Sequence, residues 1–307
     1  MKYKVHYPYI TFYIQKTISI DDFFHQFHLS KKTIHLYKQN KEYSVNNRFV
    51  SSSTILIKGD QLTIKAFQED NGMYPPCYKN IDIVYEDEFI LVVNKPPFIH
   101  VYPDHQSKTD SLSNRVSAYY QQQGYNIPVK YIHRLDYETS GLILYCKCAL
   151  IQPLLDYQLS IKDIQRHYLA IVDRNMTNYQ KHTIHKNIAR DRHHQQRMRV
   201  ATTGKEASTT YQCLASKNNL SLIQCTFNVL TASASCCALR AYLYLPLGIF
   251  SRYNAQMCIR DRVYSTSIDD EDTIACFFSS EIYGTEEAYK KASEAKEELS
   301  SWQYERR

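Results

Sequence analysis

Two periods of apolar and polar residues divide this chain. Near the N-terminus Phe23, Phe24 and Phe27 fall at helical spacing, Ile34 and Leu36 then stand among basic residues, and each group follows a serine able to cap a helix. Ser19 opens the first predicted helix, whose first turn holds Asp21 and Asp22, where negative charge complements the helix dipole. Ser30 opens the second, from Lys31 to Gln39. The pattern then becomes strand-like. Asn46-Asn47 suits a hairpin turn needing positive φ, and Gly59-Asp60 makes a turn before an alternating strand from Gln61 to Phe67. Residues 1–67 therefore read as a small α+β unit.

Residues 68–80, with Gly72 and Pro75-Pro76, read as a linker. Ile81 to Tyr85 and Phe89 to Asn94 are predicted strands joined by Glu86-Asp87-Glu88. Asp110 or Ser111 starts a helix carrying Leu112, Val116 and Tyr119, and Gly124 stops it. Gly141 to Cys146 and Arg166 to Val172 are further strand candidates. Strands outnumber helices and their connections vary in length. The expected fold class is α+β with a largely antiparallel mixed sheet over 81–256, preceded by the small unit and followed by a tail, 257–307.

Composition narrows the function classes. A net charge of +6 is compatible with a nucleic-acid partner without requiring one. Nine cysteines, an odd number lacking paired C-x-x-C motifs at zinc-ribbon spacing, read as free thiols of a reducing cytoplasm. No apolar run reaches about 18 residues and no signal-peptide core follows Met1, so a cytoplasmic protein with no membrane partner is expected.

The chemistry concentrates in Tyr131-Ile132-His133-Arg134-Leu135-Asp136-Tyr137-Glu138-Thr139-Ser140-Gly141-Leu142. A loop carrying Arg-x-Asp feeds a Thr-Ser-Gly turn that launches an apolar strand. Such a loop can hold a carboxylate at a strand edge beside a guanidinium, which favours the ionised form able to act as nucleophile or base. The residues alone also fit a structural ion pair or a turn cap. A glycosidase would need a second carboxylate at suitable spacing, for which Glu138 is the one nearby candidate.

The segment resembles the pattern H-R-L-D-x-x-T-S-G-L-x-L of RluA-type pseudouridine synthases. Three further segments agree with that family in order. Tyr85-Glu86-Asp87 with Val92-Val93-Asn94-Lys95-Pro96 is similar to its Y-E-D and V-x-N-K-P strand pair. Arg166-His167-Tyr168-Leu169-Ala170-Ile171-Val172 is similar to R-x-Y-x-A-x-V, and Gly204-Lys205-Glu206-Ala207-Ser208-Thr209-Thr210-Tyr211 to G-K-x-A-x-T-x-Y. The first unit resembles the small RNA-binding domain, named after a ribosomal small-subunit protein, that often precedes this family's catalytic domain.

The resemblance implies a reaction and its residues. Asp136 is the expected catalytic aspartate, attacking either the ribose anomeric carbon or the uracil ring. Tyr168 is expected to stack on the flipped uracil and assist proton removal from carbon 5. Arg134 is expected to hold the displaced strand or fill the gap left by the base. The N-glycosidic bond breaks, the uracil turns while bound and rejoins through carbon. The product is an isomer, so no cofactor is expected. The target base must leave its stack, which costs a few kcal/mol.

Basic residues supply candidate phosphate contacts. Arg190, Arg192, Arg197 and Arg199 cluster with His193 and His194, too poor in further ligands for a metal site, so RNA contact is the expectation. Lys31, Lys32 and Lys38 add a basic helix face in the first unit.

The resemblance breaks after Val229. The family continues with T-G-R-x-H-Q-I-R-V-H-L, whereas this chain reads Thr231-Ala232-Ser233-Ala234-Ser235-Cys236-Cys237 before register returns at Leu239-Arg240-Ala241-Tyr242-Leu243. Arg240 is then the arginine expected to pair with Asp136. Met257-Cys258-Ile259-Arg260-Asp261-Arg262 is what ATG-TGT-ATA-AGA-GAC-AG plus a purine encodes, a string resembling the transposon end used in preparing sequencing libraries. Residues 257–307 are thus expected to be foreign to the gene and to pack poorly. The expected protein is a monomeric, cofactor-independent uridine isomerase acting on structured RNA, ribosomal or transfer. The alternative is a non-catalytic RNA-binding protein derived from such an enzyme.

Overall fold

The computed structural model describes residues 2–104, 109–137, 139–172, 175–177, 179–190, 198–217, 220–227 and 259–263. It falls into two compact units, one of Met1–Lys95, His100–Arg134 and Ile143–Ile164, the other of Pro96–Ile99, Leu135–Leu142 and Gln165–Arg307.

The first unit begins with β1 (Lys2–His6), β2 (Tyr9–Tyr13), β3 (Ile18–Ser19), α1 (Ile20–His25), α2 (Lys31–Gln39), β4 (Tyr43–Val45), β5 (Ile55–Leu56) and β6 (Gln61–Lys65). Four of these strands form an antiparallel sheet in the order β1-β2-β6-β4. The serine caps stand where expected: Ser19 Oγ accepts from Asp22 N and Ser30 Oγ from Thr33 N, each contact being worth about 1 kcal/mol. Asn46 and Asn47 take φ of 49° and 65°, and Val45 and Arg48 exchange both backbone bonds across them. Aromatic rings fill the core, with Phe12 against Phe23 at 5.1 Å and Phe24 against Tyr37 and Tyr43 at 5.5 and 5.6 Å.

The unit continues with β7 (Asp82–Glu86), β8 (Ile90–Lys95), α3 (Leu112–Gln122), β9 (Lys130–Tyr131), β10 (Gly141–Cys146, whose first two residues belong to the second unit) and α4 (Gln152–Ser160). Strands β7, β8 and β10 lie side by side in that order, and β9 pairs with β10. Ser111 caps α3 in a reciprocal capping box with Asn114. Residues before α3 are fastened along it: Cys77 N donates to Asn114 O, Asn114 Nδ2 donates to Pro75 O, and Lys79 pairs with Asp110 at 2.6 Å. The Lys147 ammonium, almost wholly buried, meets Glu86 at 2.9 Å, and Tyr119 OH donates to the same carboxylate. A buried cation needs such a partner.

Contacts also tie the first 67 residues to the rest of this unit. The carbonyl of Ala66 accepts from Ala149 N at 2.9 Å and Leu150 N at 3.4 Å, and Tyr7 OH donates to Asn126 O at 2.7 Å. The His28 ring stacks on Tyr157 at 3.6 Å, and Tyr3 meets Phe89 at 5.5 Å.

The second unit comprises β11 (Arg166–Val172), β12 (Lys181–Arg190), β13 (Met198–Val200), β14 (Lys205–Lys217), β15 (Leu220–Phe227) and β16 (Ile259–Val263), in sheet order β13-β12-β14-β15-β11-β16. All these pairings are antiparallel, while Gly141, in the same unit, meets Asp261 of β16 in parallel. Gly204 turns the chain between β13 and β14 so tightly that a Cβ there would stand 2.6 Å from the carbonyl oxygen of Ile188. The fold is α+β and largely antiparallel, as the sequence predicts. Of residues 257–307, the strand β16 is described and the remainder lies outside the described residues. Among the described residues no helix is long and apolar enough to cross a membrane.

Candidate active site

Asp136 stands in the loop joining β9 to β10, in the second unit. Buried Leu135 anchors one side of the loop, and buried Thr139 and Ser140 the other. Thr139 N donates to the Asp136 carbonyl at 3.1 Å, closing a turn. Phe98 N donates to the Tyr137 carbonyl at 2.8 Å, and the two rings meet at 5.9 Å. The loop is thus fastened through main-chain groups and apolar neighbours, with Asp136 itself half-buried. Gly141, at φ 135°, lets the chain swing from this loop into β10, a conformation that side chains with a Cβ resist.

Tyr168 is 1% exposed in the middle of β11, opposite Cys225 of β15 on one side and Asp261 of β16 on the other. Gly141 lies opposite Asp261 as well. Adjacent strands are about 4.8 Å apart, so the Gly141 and Tyr168 Cα atoms stand about 10 Å apart on one row of the sheet. Next to Tyr168, the His167 ring bonds Thr226 Oγ1 at 3.1 Å, and burial, with Lys181 adding to it, lowers its pKa. A tyrosine fixed by a sheet and a carboxylate on the loop feeding that sheet are groups that can stack on a base and attack or deprotonate it.

Arg134 belongs to the first unit, where it is exposed. Its Nη1 donates to Tyr102 OH, and its guanidinium carbon lies 5.3 Å from the Tyr102 ring centre. Tyr102 in turn stacks on Tyr131 at 5.7 Å with planes 12° apart. Burial raises the Tyr131 pKa, Tyr102 adding to the rise and Arg134 opposing it. Sequence reasoning named Tyr131 within the motif without a role for it and missed Tyr102. The lone Tyr102-Pro103 pair before the helix carried no signal of this contact, and only the fold brings Tyr102 to Tyr131. Lys95, of the N-K-P segment, is a further surprise: it is fully buried.

The basic residues divide. Lys31, Lys32 and Lys38 are exposed on α2, fanning over about 120° of its surface away from buried Ile34 and Tyr37. Arg190 and Arg199 are exposed on β12 and β13. Arg199 faces Ala189 in register while Arg190 faces Met198, so the two guanidinium groups leave opposite faces of the ladder. Arg192, Arg197 and Arg240 lie outside the described residues, as does Glu138.

Comparison with known proteins bears on these groups. Residues 89–228 match the RNA pseudouridylate synthase family, and residues 11–62 match the N-terminal domain of the ribosomal pseudouridine synthase RluD. The RNA pseudouridine synthase YhcT of Bacillus subtilis is 35% identical over 197 residues, covering 64% of this chain and 65% of that protein. Ribosomal large subunit pseudouridine synthase D of Escherichia coli strain K12 is 29% identical over 181 residues, covering 57% and 55%. The chain therefore spans less than two thirds of the length of these relatives. Among solved structures, human RNA Pseudouridylate Synthase Domain Containing 1 superposes with a TM-score of 0.47 at 17% identity, covering 62% of this chain and 79% of that one. The matches over residues 89–228 and 11–62, which take in the Arg134-Leu135-Asp136 loop and its strand, identify those spans as belonging to the RluA-type RNA pseudouridine synthase family.

Proposed function

We propose that this protein converts specific uridines in structured RNA to pseudouridine, with Asp136 as the catalytic carboxylate. The observation that carries the reading is the pinned Arg134-Leu135-Asp136 loop leading through Gly141 to the sheet row that holds Tyr168. The isomerisation breaks the bond from ribose C1′ to uracil N1 and forms one from C1′ to C5, with a proton lost at C5 and one gained at N1. Asp136 attacks the anomeric carbon or the ring, and Tyr168 stacks on the uracil and assists the C5 proton. Arg240 is the proposed partner of Asp136.

Ribosomal RNA is the preferred substrate class, because relatives in Escherichia coli and Neisseria meningitidis are named ribosomal large subunit synthases. Lys31, Lys32, Lys38, Arg190, Arg192, Arg197 and Arg199 are the proposed phosphate contacts. Such contacts position RNA without reading its sequence. The catalytic domain is proposed to run over 81–256, behind the small RNA-binding domain of 1–67 and the linker of 68–80. The protein is proposed to act as a cytoplasmic monomer.

Asp136→Asn keeps size and polarity and removes the charge. Tritium release from uridine-5-labelled RNA should fall to background, while RNA affinity stays within a few-fold. Turnover near that of the unsubstituted protein would refute the assignment.

A further inference from the structure

We propose that Tyr102 is a positioning residue that orients the Arg134 guanidinium for its work on RNA, an inference that rests on the isomerase reading above. The phenol oxygen of Tyr102 accepts from Arg134 Nη1, and the guanidinium carbon lies 5.3 Å from the ring centre. A hydrogen bond to a charged donor is among the stronger kinds, and a phenol can accept it while its ring is held elsewhere. An exposed arginine otherwise samples many rotamers, and confining it beforehand reduces the entropy lost when it engages a ligand.

The column that holds Tyr102 is itself built into the fold. Its Tyr131 neighbour, 5.7 Å away and nearly parallel, belongs to β9 and pairs with fully buried Tyr145 of β10. On the other side the chain before Tyr102 is clamped to the start of α3. Leu112 N donates to the His100 carbonyl at 2.8 Å, and Val101 O accepts from both Ser113 N at 2.9 Å and Ser113 Oγ at 2.6 Å. Ile132 N donates to Leu144 O at 2.8 Å, and Leu144 N to His133 Nε2 at 3.4 Å, fixing the backbone on which Arg134 is mounted. Helix and strand thus set the phenol and the arginine independently, and the hydrogen bond joins two already oriented parts. The column is partly open to solvent, so RNA can reach its arginine end. Arg134 is two residues from Asp136 in the chain, so their Cα atoms are at most about 7 Å apart.

The test is Tyr102→Phe, which keeps the ring on Tyr131 and removes the acceptor. With RNA carrying the target uridine inside a helix, single-turnover isomerisation should fall about tenfold while RNA affinity stays within twofold. The same change made on Arg134→Ala should cost less than twofold, because the group being oriented is gone. Equal losses in both backgrounds, or no loss in the first, would overturn the proposal. A second readout needs no turnover. Restricted rotation of the Arg134 guanidinium should give separate Nη signals in nitrogen-15 NMR, and Tyr102→Phe should merge them. Unchanged Arg134 signals in that variant would also overturn it. If the unsubstituted protein isomerised no uridine, the isomerase reading would fail, while the NMR arm would still decide whether Tyr102 holds Arg134.

Discussion

Gly141 and Tyr168 meet the same residue, Asp261, from opposite sides of β16. Their level placement puts the end of the Asp136 loop and the tyrosine on one row of the sheet. Side chains alternate along a strand, so a one-residue slip of β11 would turn Tyr168 to the other face. Main-chain pairing makes few demands on sequence, and an extended segment of different composition in the place of β16 would keep this alignment.

Tyr168→Phe isolates the hydroxyl. The ring and its packing survive, so RNA binding should hold within a few-fold while single-turnover isomerisation falls about 100-fold or more, as expected when a group assisting proton transfer is lost. An unchanged rate would leave Tyr168 as a stacking or core residue.

Gly141→Ala tests the swing into β10. At φ 135° a Cβ is strained, and a loss of about 1–3 kcal/mol in urea-unfolding stability is expected. Activity should drop as well, because the Asp136 loop is displaced with it. A variant as stable and active as the parent would mean that the turn accommodates a side chain.

Neutralising Lys31, Lys32 and Lys38 to Gln should weaken RNA binding and flatten its dependence on salt, by about 0.7–0.9 in logarithmic slope for each phosphate no longer neutralised. Arg190→Gln and Arg199→Gln should differ from one another, since they leave opposite faces of the ladder. Equal slopes before and after all five changes would place these side chains away from the RNA.

Asp110 sets a pH dependence of stability. A hydrogen bond from Arg115, against the opposing effect of burial and with Lys79 assisting, holds its carboxyl down to about 2 from the usual 3.8. Above pH 3.8 the charged form is stabilised by folding, and that contribution is lost as pH falls through about 2. The stability difference between the parent and Asp110→Asn should therefore be constant near neutrality and shrink across this acid window. A pH-independent difference would show that the ion pairs leave folding untouched.

What the sequence disclosed follows from how local each cause is. Ser19, Ser30 and Ser111 cap helices through hydrogen bonds three residues away, and Asn46-Asn47 turns the chain within four. These elements were legible, as was the Arg134-Leu135-Asp136 loop through its resemblance. Helix α4 was not, because Ile151 offers it no side-chain cap and none of its residues is buried. The long ladder of β12, β14 and β15 was equally hidden, since its partners lie tens of residues apart. The Tyr102–Tyr131 column needs both α3 and β10 in place before its rings meet.

The carbonyl of Ala66 has a consequence for truncation. It receives the amides of Ala149 and Leu150, just ahead of α4, while His28 covers Tyr157 and Tyr3 covers Phe89. Cutting away residues 1–67 would strand those amides, one on fully buried Leu150, and remove the ring contacts of Tyr157 and Phe89. The shortened protein would lose brickwork together with its lysines, and a fall in RNA affinity would confound the two. Charge reversal on α2, leaving Ala66 and the aromatic neighbours untouched, separates the reader from the wall it is built into.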